Sequence, residues 1–301
     1  MYKNIKRKIK ILPSTIVFNI LGYTLISVSV VLCLIPFIML ISGSLTSEDA
    51  IAQYGYGLFP KKLSFEAYSL LFNYPKDVIR AYCVSIFVTL VGTAAGLFII
   101  TMTAYVISRK DFKQRNKLAF FFYFTTLFNG GILSTYIFLI RYLHLKDNYL
   151  SLILPIIINI FYLLIMRSFM TAIPDSITES AKIDGAGDFT IFIRLILPLS
   201  KAGLATIGLF YALDYWNDWY NAMLYITDYK KFPLQYMLYQ MLSASEAMAR
   251  ISSMSSVSMV MIPSRSLKLA MAVVATGPII LVYPFVQKYF VKGITVGAVK
   301  G

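Results

Sequence analysis

The chain has 301 residues, 58% of them hydrophobic, a formal net charge of +14 and a mean hydropathy of +0.70. So apolar a composition excludes an ordinary soluble domain and describes an all-α polytopic membrane protein. The basic residues gather at the ends of apolar segments rather than on one periodic face, which argues against nucleic-acid binding and follows the positive-inside rule.

Residues 1–15 form a basic cytoplasmic start, with Lys3, Lys6, Arg7, Lys8 and Lys10 and no acid. The apolar run at about 16–42 is long enough to cross a bilayer and lacks a small-x-small cleavage site, so it is the first membrane helix, loosened near Pro36, and not a signal peptide. An external loop follows at 43–79, whose Thr46-Ser47-Glu48-Asp49 and Tyr54-Gly55-Tyr56-Gly57 stretches predict a folded surface segment. The second span, about 80–108, carries Gly92-x-x-x-Gly96, a small-residue face for close helix approach. It ends in the basic turn Arg109 to Lys117, placed inside the cell. The third span, about 118–140, is expected to break or kink at Gly130-Gly131, beside Asn129.

The fourth span, about 149–171, holds Pro155 and Asn159 and leads to a cytoplasmic loop at 172–201. A fifth span at about 202–224 includes the polar stretch Asp214-Tyr215-Trp216-Asn217-Asp218-Trp219-Tyr220-Asn221. A second external loop, 225–265, is Met-rich and partly helical, and Met237, Met241, Met248, Met254, Met259 and Met261 serve either its packing or an adaptable docking surface. The last span, about 266–286, includes Gly277-Pro278 and Pro284. Six spans with both termini cytoplasmic, forming a single permease domain over 16–301, keep the inner side richer in Lys and Arg than the outer.

Catalytic chemistry has little to draw on. Cys33 and Cys83 lack metal-ligand spacing, His144 is the single histidine, and there is no phosphate-cradling Gly loop ending in Lys-Ser/Thr. No metal site and no catalytic residue is therefore expected. The polar stretch has two readings. Asp214, Trp216, Asn217, Asp218, Trp219 and Asn221 either belong to an interfacial aromatic belt or line a sugar pathway, with aromatic faces against pyranose rings and Asn or Asp on hydroxyls. Asn129 and Asn159 likewise serve either interhelical hydrogen bonding or substrate contact.

The loop at 172–201 contains Ser176-Ile177-Thr178-Glu179, which predicts a capping box, and Gly185, which predicts a left-handed stop. Between them lies a short helix on which Ile177, Ser180 and Ala181 suit a groove in another protein, while Glu179, Lys182 and Asp184 stay polar.

The same residues carry a family resemblance. Glu179, Ala181, Gly185, Leu197 and Pro198 stand at the spacing of the EAA loop of binding-protein-dependent ABC importers, with Ser180 at the second small position and Leu195 where Ile is commoner. Leu58-Phe59-Pro60 with Phe65-Glu66-Ala67-Tyr68, the Trp216-Asn217 pair and the C-terminal run from Tyr283 to Gly301 resemble carbohydrate permeases, nearest the maltose G-type and complex-oligosaccharide branch.

The resemblance implies a type I importer permease fold with a cytoplasmic coupling helix formed by Ile177, Glu179, Ser180, Ala181, Lys182, Asp184 and Gly185. It also implies a second homologous permease, two ATPases that use ATP and Mg, and an external sugar-binding lipoprotein, with no cofactor on this chain itself. That branch includes transporters of acidic glycans, so a uronate-containing oligosaccharide is expected, and Lys61, Lys62, Arg141, Lys146, Lys230 and Lys231 keep the outer surface basic. The alternatives are an importer permease for another solute and a secondary transporter acting alone. The C-terminal run argues against the first. The EAA-type loop and the lack of an evident inverted repeat argue against the second.

Overall fold

The computed structural model describes residues 13–73, 75–128, 130–254 and 265–281. The expected features at Asn129, Met259, Met261 and Pro284 and in the C-terminal run lie outside those residues. The regular structure of the described residues is helical apart from one isolated antiparallel bridge between Thr46 and Leu63. They fall into two compact units, one within Met1–Leu70 and Ser258–Val273, the other within Leu71–Val257 and Val274–Gly301.

In the first unit, α1 (Pro13–Ser44) is a single helix that runs through Pro36 without ending. Its side chains are exposed almost all round, as befits a helix whose solvent is lipid. The loop after it is folded. Amide bonds from Ser47 to Lys62 (3.0 Å) and from Ser64 to Leu45 (2.9 Å) pin its two ends together. Between and after them lie α2 (Glu48–Tyr54) and α3 (Glu66–Leu71).

The second unit is built on α4 (Pro75–Ser108), which begins several residues before the predicted start because Pro75 is tolerated in a first turn. The third predicted span is interrupted, into α5 (Arg115–Thr125) and α6 (Gly131–Ile137), with Gly131 at φ +80° where a side chain would be strained. The fourth is interrupted by Pro155 into α7 (Leu150–Ile153) and α8 (Ile160–Thr171). The loop at 172–201 forms α9 (Asp175–Ile183), α10 (Asp188–Ile191) and α11 (Leu197–Leu199), with a π-helical turn at Phe192–Ile196. Then come α12 (Lys201–Asn217), α13 (Tyr220–Tyr225) and α14 (Leu234–Met254); α15 (265–281) counts with the first unit over 265–273 and with the second over 274–281.

Among the described residues, α1 and α4 alone are long and apolar enough to cross a membrane as unbroken helices. Two bent pairs also pass, α8 with α9 at 70°, and Asp188–Leu199 with α12 at 81°.

The core lies where α4 packs on α12 and α8, around the buried Ile100, Ala104, Leu163, Met166, Ile207 and Tyr211. Its central device couples the two glycines of α4 to two tyrosines of α12. A Cβ on Gly92 would lie 2.5 Å from the Tyr215 ring, and one on Gly96 would lie 3.0 Å from the Tyr211 ring. The glycine face thus admits rings that reach across to the broken segment between α7 and α8. There Tyr215 donates to the Ile153 carbonyl (3.0 Å) and Tyr211 to the Ile157 carbonyl (2.9 Å). Irregular backbone at membrane depth persists only where its polar groups find such partners.

Candidate functional site

Two features stand out, a charged surface around α9 and a polar cavity beside the broken helix.

Pro174 has no N–H and extended geometry (ψ 135°), so the chain enters α9 at Asp175. The predicted capping box does not form, because Ser176 already lies inside the first turn and no side chain caps the helix. Asp175 supplies the first-turn negative charge that suits a helix N-terminus. The predicted stop is present, with Gly185 at φ +79° and its N–H donating to the Lys182 carbonyl at 3.0 Å.

The faces of α9 differ from expectation. Ala181 turns inward, 8% exposed, and joins the core, because it sits opposite the polar face that charge pairs hold outward. Glu179, Ser180, Lys182 and Asp184 are exposed, Ile177 is half-buried, and Ile183 is 86% exposed. Phe189, on α10, is 60% exposed. Ile183 and Phe189 are thus the bare apolar groups of this surface. Sequence patterning did not single them out, since each reads as an ordinary core residue.

The basic turn after α4 grips this loop. Lys182 donates to Asp111 at 2.7 Å, and Lys110 pairs with Asp175 at 2.6 Å. Arg109, whose side chain is only 13% exposed, binds both Asp111 and Asp188 and donates to the Tyr105 hydroxyl at 3.0 Å. The Arg109 hydrogen bond, then that of Lys182, holds the Asp111 carboxyl well below the usual carboxylate range. The sequence offered Arg109, Lys110 and Asp111 only as a topology signal.

The polar cavity, about 660 Å³, is lined by Asn159, Asp214, Asn217 and Asp218, with Thr126, Phe161 and apolar neighbours. Asn159 is the N-cap of α8, its Oδ1 accepting from Phe161 (3.0 Å) and Tyr162 (3.4 Å). Asp214 accepts from the Tyr162 hydroxyl at 2.7 Å. Asp218 accepts from the Asn221 backbone N–H and from its Nδ2, each at 3.0 Å. Four of the predicted pathway residues therefore converge, although one comes from the start of α8 and three from the end of α12 or just beyond.

The others do not line it. Trp216 points the other way, its Nε1–H donating to the Ala275 carbonyl (3.0 Å), beside a separate, almost wholly apolar pocket of about 340 Å³. Trp219 stacks on Tyr239, ring centroids 4.5 Å apart, and Asn221 is spent on Asp218. On a helix, residues 214, 217 and 218 share one face while 216 lies away from it, so the stretch was bound to divide.

Comparison with known proteins decides the lineage. Residues 113–296 match the sequence profile of the binding-protein-dependent transport system inner membrane component family. The chain belongs to that family. It is 42% identical to the polygalacturonan/rhamnogalacturonan transport system permease protein YtcP of Bacillus subtilis, over 94% of this chain and 98% of that one. It is 28% identical to the trehalose/maltose transport system permease protein MalG of Thermococcus litoralis, over 90% and 93%. Among solved structures it is similar to a chain of a bacterial ABC transporter involved in the import of the acidic polysaccharide alginate, with a TM-score of 0.76, 31% identity and coverage of 93% and 99%. The fold is that of a type I ABC importer permease, and membership of this family makes the chain a transport subunit rather than an enzyme.

Proposed function

We propose that this chain is one of two permeases of an ATP-driven importer that moves an oligosaccharide delivered by an external binding protein. Six membrane crossings, several made of broken helices, place both termini in the cytoplasm. The cavity at Asn159, Asp214, Asn217 and Asp218 lies on the sugar's path. The surface of α9 is the coupling helix, presented to a partner ATPase that binds ATP and Mg; this chain binds neither.

The observation that carries the coupling role is the 70° bend at Pro174, after which a short helix presents Glu179, Ser180, Ile183 and Asp184 to solvent. Such a bend redirects a membrane helix into a surface element that a partner can push. The oligosaccharide is supported by relatives named for pectic polymers, arabinooligosaccharides and trehalose/maltose.

The test is purification of the chain from native membranes. Recovery of a second permease, an ATPase and a sugar-binding lipoprotein is the expected result, and recovery of a stable chain that moves solute alone would sink the proposal. Within the assembled importer, Glu179→Arg or Gly185→Pro is expected to abolish uptake while ATP hydrolysis continues. Retained uptake in both variants would remove the coupling role.

A further inference from the structure

The charge of the polar cavity bears on what passes through it. Asp214 and Asp218 both face it, and among its described lining residues there is no Lys, Arg or His. The remaining polar groups are Asn159, Asn217 and Thr126. Of these, Asn159 has its oxygen committed to the start of α8, Asn217 donates to the Leu213 carbonyl at 2.9 Å, and Thr126 donates to the Tyr123 carbonyl at 2.6 Å. What the cavity offers a ligand is therefore the remaining acceptor capacity of two carboxylates, of which Asp218 already accepts from Asn221 on both oxygens, the amide N–H groups of Asn159 and Asn217 outside those bonds, and the exposed ring of Phe161.

Sugar hydroxyls are donors, and carboxylates bind them well, while an aromatic face packs against the C–H face of a pyranose. A uronate carboxylate is the wrong partner. It has no proton to donate, finds no cation among the described lining residues, and meets two carboxylates in a partly desolvated space.

We infer that this cavity is a subsite for an uncharged, hydroxyl-bearing stretch of glycan and selects against a free carboxylate at that position. The inference rests on the sugar-permease reading above and narrows its substrate class. If the imported glycan carries uronates, their charges are neutralised outside this cavity, and the segment lodged against Asp214, Asp218 and Phe161 is a neutral unit.

The test uses two labelled probes that differ only in charge, tetragalacturonate and its full methyl ester. Uptake of each is measured in cells carrying the intact importer with the native chain or a variant. Comparing the acid-to-ester ratio of a variant with that of the native chain cancels the binding protein's own preference. Asp214→Asn keeps an acceptor for the Tyr162 hydroxyl and removes one charge, so the ratio is expected to rise about tenfold. Asn217→Asp, at an exposed position, adds a charge and is expected to lower it by a similar factor.

An unchanged ratio in both variants overturns the subsite, whether uptake of the two probes is untouched or falls in parallel. Reduced recovery of the assembled complex without a change of ratio also overturns it, and assigns the cavity to contact with the second permease. Failure of the parent reading looks different. In that case neither probe, nor any neutral oligosaccharide, enters wild-type cells by an ATP-dependent route.

Discussion

At the residue scale, Tyr211 does the most with a single hydroxyl. It is fully buried, donates to the Ile157 carbonyl, and receives the Asn159 N–H at 3.4 Å. Tyr211→Phe leaves both backbone groups without that partner at membrane depth and is expected to lower stability by about 1–3 kcal/mol, read as a fall in the unfolding midpoint in detergent. Gly92→Ala drives a methyl into the Tyr215 ring and is expected to cost about as much through overpacking. Away from the core, Asp147 ties two distant segments, accepting from the Thr227 amide and hydroxyl (each 2.6 Å) and the Asp228 amide (2.8 Å). The Thr227 hydroxyl first, then the Asp228 amide, pulls its pKa down to about 2. A depressed carboxylate stabilises the fold above its unfolded value of about 4, and that contribution fades as the pH falls toward 2. Protection of the Thr227 and Asp228 amides, measured as hydrogen exchange relative to the intrinsic rate at each pH, is therefore expected to fall as the pH drops from about 4 toward 2, and to be low at every pH in Asp147→Ala.

At the element scale, α9 shows which local rules survive context. Gly185 was legible because a left-handed stop needs nothing beyond its own backbone. The capping box was not, because Pro174 moved the helix start and Asp175 was drawn to Lys110, a residue from another element. Exposed ion pairs contribute little stability one at a time, so the lattice of Asp111, Lys182 and Asp188 acts through Arg109, its one largely buried member, while Lys110–Asp175 is a separate exposed pair. Arg109→Gln is expected to cut solute moved per ATP hydrolysed by on the order of tenfold while the complex still assembles. Lys110→Ala should change it by less than about twofold. Equal effects of the two would mean that the lattice has no centre.

At the scale of the whole molecule, the bilayer is the solvent that makes sense of α1, where Phe18, Tyr23 and Leu25 are each more than two-thirds exposed. Leu25→Asp in the middle of that helix is expected to cost about 2.5–3.5 kcal/mol of insertion, seen as a drop in the fraction of chain that integrates into membranes. Hydropathy, the Lys and Arg positions, the glycine pair of α4 and the spacing from Glu179 to Pro198 all act locally or through the surrounding lipid. For that reason the sequence by itself determined the membrane class, the first two helices, the family and the place of the surface helix. Other features depended on partners distant in the chain. The breaks at Pro155 and Gly131 were foreseeable as weak points, but the tyrosines that make the first tolerable come from α12, more than fifty residues on. Trp216 and Asn217 are neighbours in sequence, yet only packing against α15 and α8 sends one into an apolar pocket and the other to the polar cavity. Helical periodicity says that such neighbours part company. Which side faces the cavity is decided by what the rest of the chain brings there.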